Sequence, residues 1–112
     1  MRLRAQNDYF GNDSLHAQFY DAVDVGGAPL YRVGTTGPGH SAMVVLQESD
    51  GGKIAGWGWA DQGWNGLGAS IYFSTPGPHT LRIQQREAGV LFDQIVLSPD
   101  TYSTSAPGSQ NN

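Results

Sequence analysis

Glycine interrupts this chain so often that no stretch of useful length keeps a helical period. Sixteen glycines and six prolines are spread over 112 residues. In a helix interior glycine costs about 1 kcal/mol relative to alanine, and proline about 3 kcal/mol, so this punctuation favours turns and short strands. The apolar residues recur at every second position instead. In residues 14–20, Leu15, Ala17 and Phe19 share one face, and His16, Gln18 and Tyr20 share the other. Residues 30–33, 42–47 and 70–73 read as further short strands. The second of these runs into Ser49-Asp50-Gly51-Gly52, a strong turn sequence. Residues 79–85 and 90–97 alternate on either side of a turn at 86–89 and predict a hairpin, with Leu81, Ile83, Ile95 and Leu97 toward the core. Asp93 shares the parity of Ile95 and Leu97, so it is expected to be partly buried, as a structural knot or a metal ligand. Arg86 and Glu87 are expected in the turn, with Arg86 either pairing with Asp93 or reaching a ligand, the structural role being favoured. Six or seven such strands predict an all-β fold, a two-sheet antiparallel β-sandwich. The expected division is one sandwich domain over residues 1–98 and a polar tail or linker over 99–112.

Composition excludes several functions. There is no cysteine, which removes thiol catalysis, zinc–thiolate sites and iron–sulfur ligation. Six basic residues against ten acidic ones, with a single lysine, give no cluster suited to phosphates, so no nucleic-acid partner is expected. No apolar run reaches membrane-spanning length, so no membrane insertion is expected. Residues 1–7 carry charge without a following apolar stretch and do not read as a signal peptide. That fits a cytoplasmic chain or one whose export signal has been removed. Catalysis is not expected either. No Gly-x-Ser-x-Gly element is present, and no two carboxylates stand in a recognisable glycosidase setting.

All three tryptophans fall within eight residues, in Gly56-Trp57-Gly58-Trp59-Ala60-Asp61-Gln62-Gly63-Trp64-Asn65-Gly66. An indole offers a large flat apolar face with a negative quadrupole, which suits the slightly positive C–H face of a pyranose. Asp61, Gln62 and Asn65 beside the rings have the planar groups that pair with vicinal hydroxyls. The competing expectation is structural. Trp57 and Trp59 are alternate residues, point the same way on a strand, and both fit a sandwich core, while the polar trio fits loop backbone ligation. Tyr31, His40 and Tyr72 are weaker candidates for ligand contact. His16, His40 and His79 sit on three separate segments without metal-ligand spacing, which speaks against zinc. Asp21 and Asp24 are spaced as loop carboxylates for calcium could be, but one pair is thin evidence.

Three segments in order resemble the galactose-binding-like jelly-roll modules attached to bacterial polysaccharide-degrading enzymes and surface proteins. They are Gly11-Asn12-Asp13-Ser14-Leu15-His16, then Gly56-Trp57-Gly58-Trp59, then residues 77–97 with His79-Thr80-Leu81, Arg86-Glu87-Ala88-Gly89 and Asp93-Gln94-Ile95-Val96-Leu97. The resemblance covers residues 11–97. It implies a jelly roll, a secreted or cell-surface setting, and non-catalytic binding of a polysaccharide or oligosaccharide. Relatives of this kind carry a structural calcium held by an acidic pair on an extra first strand and an aspartate like Asp93. This chain departs from that pattern, because only Asp8 is acidic before Asn12. The missing strand leaves an open sheet edge, a liability unless covered. Either the N-terminal decapeptide fills the gap, or a second copy does so in a homodimer. The alternative function is a structural or protein-interaction β-sandwich whose tryptophans anchor an interface.

Overall fold

The computed structural model describes residues 1–7, 9, 11–37, 39–46, 56–64 and 67–108. The turn expected at 49–52 and the site candidate Asn65 lie outside these. The described residues are all-β, with no helix among them, and the strands pair in antiparallel sheets. No helix among them is long and apolar enough to cross a membrane. The strands are β1 (Arg2–Gln6), β2 (Ser14–Phe19), β3 (Ala22–Val23), β4 (Ala42–Val45), β5 (Gly58–Asp61), β6 (Tyr72–Phe73), β7 (Leu81–Gln85) and β8 (Leu91–Val96). One sheet runs β5-β1-β8, a second runs β4-β2-β7, and β3 pairs with β6.

The two central strands, β1 and β2, face each other across the core. Leu3 and Ala5 of β1 are fully buried, and meet Leu15 of β2, Val44 and Leu46 of β4 and its extension, and Ala60 of β5. On β2 the inward set Leu15, Ala17 and Phe19 is at most 2% exposed, as the alternation predicts. Residues 2–6 thus occupy the position that a first strand would hold, in the middle of a sheet rather than at its edge. The opposite face of β1 carries two arginines. Arg2 is buried against Asp61, and Arg4 is paired with Asp93 while its guanidinium lies 5.0 Å from the centre of the Trp57 ring.

The hairpin expected over residues 79–97 is not formed. β7 pairs with β2 and β8 pairs with β1, so the 86–90 turn crosses from one sheet to the other. Alternation fixes which face of each strand is apolar, but it does not choose the partner. The crossing is anchored at Ser14, whose side chain is fully buried: Ser14 Oγ donates to Glu87 Oε2 at 2.7 Å and accepts from Arg86 at 2.7 Å, and its backbone N–H donates to the same carboxylate. Arg86 is therefore held by Ser14 and Glu87, not by Asp93. Asp93 is the extra residue of a bulge: Arg4 lies opposite Gln94, and Ala5 opposite Phe92. The bulge breaks the parity that placed Asp93 inward, and its side chain is 40% exposed. Leu97 also lies outward, at 50% exposure.

Two other expected strands shorten. Residues 30–33 make only isolated bridges, because Tyr31 takes a positive φ of 50° and Gly34 one of 86°. Of residues 70–73 only Tyr72 and Phe73 pair, with β3. The acidic loop candidates have local roles. Asp24 Oδ1 accepts from the backbone of Gly26 and Ala28, and Asp21 Oδ2 accepts from His79 Nδ1 at 2.7 Å. No group of three histidine, aspartate or glutamate side chains among the described residues is placed to hold a metal ion.

On the outer face of β2, burial lowers the His16 pKa below its ordinary 6.5, with His40 and Arg86 adding repulsion and Glu87 opposing them. The folded state thus favours the neutral ring. The unfolded chain binds a proton near pH 6.5 that the folded one resists, so this contribution is intact above 6.5 and is lost as pH falls toward the lowered folded value. The melting temperature is expected to drop between pH 7 and pH 5, and to drop less in His16→Gln. Equal slopes in thermal melts of the two proteins would refute the assignment.

Candidate functional site

After Asp61 the chain leaves one sheet for the other. Gly63, at φ 132°, donates its N–H to Met43 O at 2.8 Å and bridges to Val44 of β4. Glycine suits this crossing because few other residues tolerate that dihedral. The crossing buries Gln62, which is 2% exposed, and leaves Trp64 at 55% exposure. Gln62 Nε2 donates to Ala69 O at 2.6 Å, and Gln62 O accepts from the Gly68 N–H. A side chain at Gly68 would come within 2.9 Å of that oxygen, so the position needs glycine. Burial pushes the Tyr31 phenol up from its usual pKa of 10, with the Ala69 backbone opposing the shift. Tyr31 and Gln62 together fix residues 67–71 as one wall.

The opposite wall comes from the segment after β8. Arg2 Nε donates to Tyr102 O at 3.0 Å, and Tyr102 N donates to Ser98 Oγ at 3.1 Å. Ser103 closes the turn by donating twice to Asp100 O. Between the walls lies a groove of about 420 Å³. Its apolar surface includes Leu67, Ile71, Tyr72, Phe73 and Tyr102, and its polar groups include Ser70, Ser98, Ser103 and Gln62. Gln62 Oε1 is buried and has no hydrogen-bond partner among the described residues. A buried amide oxygen left in that state costs roughly 1–3 kcal/mol, a cost that a donor reaching it from the groove would offset.

The sequence candidates divide. Gln62 and Tyr72 line the groove, with Tyr72 45% exposed. Trp64 is exposed two residues beyond Gln62 but does not line the groove. Trp59 is 8% exposed, and a side chain at Gly108 would stand 3.4 Å from its Nε1, so the C-terminal segment covers the indole edge and no ring face is open. Trp57 is half-buried beside Arg4. Asp61 is bound to Arg2 at 3.0 Å. Neither Tyr31 nor His40 lines the groove, and the His40 ring lies beside that of His16. Sequence reasoning missed Ser98, the last residue of the expected sandwich domain, and Tyr102 and Ser103, which belong to the stretch read as a polar tail. The one signal there was an isolated tyrosine in a serine- and threonine-rich segment. Placed against known proteins, the chain matches no family model, no curated protein and no solved structure.

Proposed function

We propose that this chain is a non-catalytic glycan-binding β-sandwich, of jelly-roll type and secreted or surface-located, whose site is the groove between residues 67–73 and 97–103. The observation that carries this reading is the unpartnered Oε1 of Gln62, a residue that lines the same groove as Tyr72 and Tyr102. Aromatic faces favour the C–H side of a sugar, and an amide acceptor with three serine hydroxyls suits its O–H groups. An apolar ligand alone would leave these polar atoms unsatisfied. Trp64 extends the aromatic surface outside the groove, where a longer saccharide continues. Nucleic acid remains a poor fit, given a net charge of −4.

The test is a titration of intrinsic fluorescence and heat with a panel of soluble polysaccharides and oligosaccharides. Tyr72→Ala is expected to weaken binding about tenfold, or about 1.4 kcal/mol, with an unchanged melting temperature because the side chain is half-exposed. Trp64→Ala should weaken long ligands more than short ones. Wild-type affinity retained in Tyr72→Ala would remove the groove from this role.

A second reading rests on a different surface. Leu91 and Phe92 of the edge strand β8 are 55% and 42% exposed, and Leu97 just beyond is 50% exposed. An unpaired edge with apolar side chains is a template for a partner strand, which favours a protein-interaction module. Silence across the glycan panel, with a larger mass in light scattering as concentration rises, would favour this second reading.

A further inference from the structure

The fold brings together two histidines that the sequence keeps 24 positions apart. His16 projects from the outer face of β2, and His40 lies in the loop before β4. Their ring centres are 5.8 Å apart, at 47° to each other. Each ring is tethered through Nδ1. His40 Nδ1 donates to the Gly37 carbonyl at 2.6 Å, which fixes its tautomer, and His16 Nδ1 shares a hydrogen bond with Ser41 Oγ at 2.8 Å. The His40 loop is held on both sides as well: its N–H donates to Gly37 O, and its carbonyl accepts from Gln18 Nε2 at 2.9 Å. With Nδ1 of His40 carrying the proton, its Nε2 keeps the lone pair that a metal needs.

Metal-binding histidines characteristically give the other ring N–H to a carbonyl or similar oxygen, which sets the tautomer and orients the ring. The spacing also fits. A zinc–nitrogen bond of about 2.0–2.1 Å puts each ring centre about 3.2 Å from the ion, so two imidazoles at a tetrahedral angle have centres about 5.2 Å apart, and farther apart as the angle opens. The observed 5.8 Å corresponds to an angle of about 130° at the ion, wider than tetrahedral, so a small closing of the pair brings it to the 5.2 Å spacing. Met43 lies directly opposite His16 on β4 and shares its face.

We propose that His16 and His40 form a two-ligand site for a borderline divalent ion such as Zn²⁺, with the remaining positions open to water or an external ligand. Imidazole suits zinc, copper and nickel, and suits calcium poorly, so this site is distinct from the calcium that the family resemblance implies. His79 is not paired with either ring: it bonds Asp21, and its ring stacks on Phe73 at 3.9 Å.

The experiment is calorimetric titration of the full chain with zinc chloride, followed by the histidine ring signals in NMR. One ion per chain is expected. His16→Gln and His40→Gln should each lower the affinity by at least the roughly tenfold to hundredfold that loss of an outer-shell partner costs, and His79→Gln should leave it unchanged. In the wild-type protein, zinc should shift the ring signals of His16 and His40 together and leave those of His79 in place, a readout that does not depend on any variant folding. Unshifted His16 and His40 signals, or equal zinc affinity in His16→Gln, His40→Gln and wild type, would overturn the site.

Discussion

Arg2→Ala is expected to destabilise the domain by about 3–5 kcal/mol, the cost of removing one partner from a buried ion pair. The Arg2 side chain is 8% exposed and that of Asp61 is 13% exposed. Removing Arg2 strands the Asp61 carboxylate, whose Oδ1 already has no partner among the described residues. Domains of this size are stable by only about 5–15 kcal/mol, so the variant should lose a large share of that margin. The effect also reaches the groove. Arg2 stands opposite Asp61 in the sheet and donates to Tyr102 O, so it ties the Asp61–Gln62 wall to the 98–103 wall. Urea unfolding measures the loss. The double variant Arg2→Met/Asp61→Leu should recover most of the stability, because apolar pairs of similar volume replace buried ion pairs at little cost. It should not recover glycan affinity if the Tyr102 tether matters. An Arg2→Ala midpoint equal to wild type would contradict the burial of this pair.

Phe19→Ala is expected to cost about 3–5 kcal/mol through lost transfer energy and the cavity left behind. Phe19 is 1% exposed. Its ring meets Phe73 edge-on at 5.4 Å between centres, and Phe73 in turn stacks on His79. Its backbone accepts from Val33 N and donates to Tyr31 O, so the residue joins β2 to the irregular 31–33 segment. Because Phe73 also lines the groove, the variant is expected to lower both the urea midpoint and glycan affinity. The slope of unfolding against urea should stay constant if only stability changes. A loss under 1 kcal/mol would mean that Phe19 is not at the centre of this packing.

The fold class was legible in the chain because period-two alternation and glycine punctuation act within a few residues. β2 is the clearest case, since Leu15, Ala17 and Phe19 are all buried as the alternation predicts, while Ser14 and Gln18 of the other face are buried by hydrogen-bonded contacts. The pairing was not legible. Residues 79–85 and 90–97 looked like each other's partners, yet each found a central strand of a different sheet. The decisive anchor, Ser14 with Arg86 and Glu87, joins residues more than seventy positions apart.

The candidate site was half visible for the same reason. Gln62 and Tyr72 could be named from their chemistry. What the sequence determined was local: an all-β chain, the apolar face of β2, and a concentration of aromatic and amide groups in its middle third. Only the tertiary structure decided that Trp59 is covered, that Arg2 closes the groove by holding Tyr102, and that His16 stands beside His40 and not His79. Alternation and turn chemistry are set by neighbours along the chain. Partner choice depends on which distant backbone is left unpaired when the sheets close, and no short window of residues carries that information.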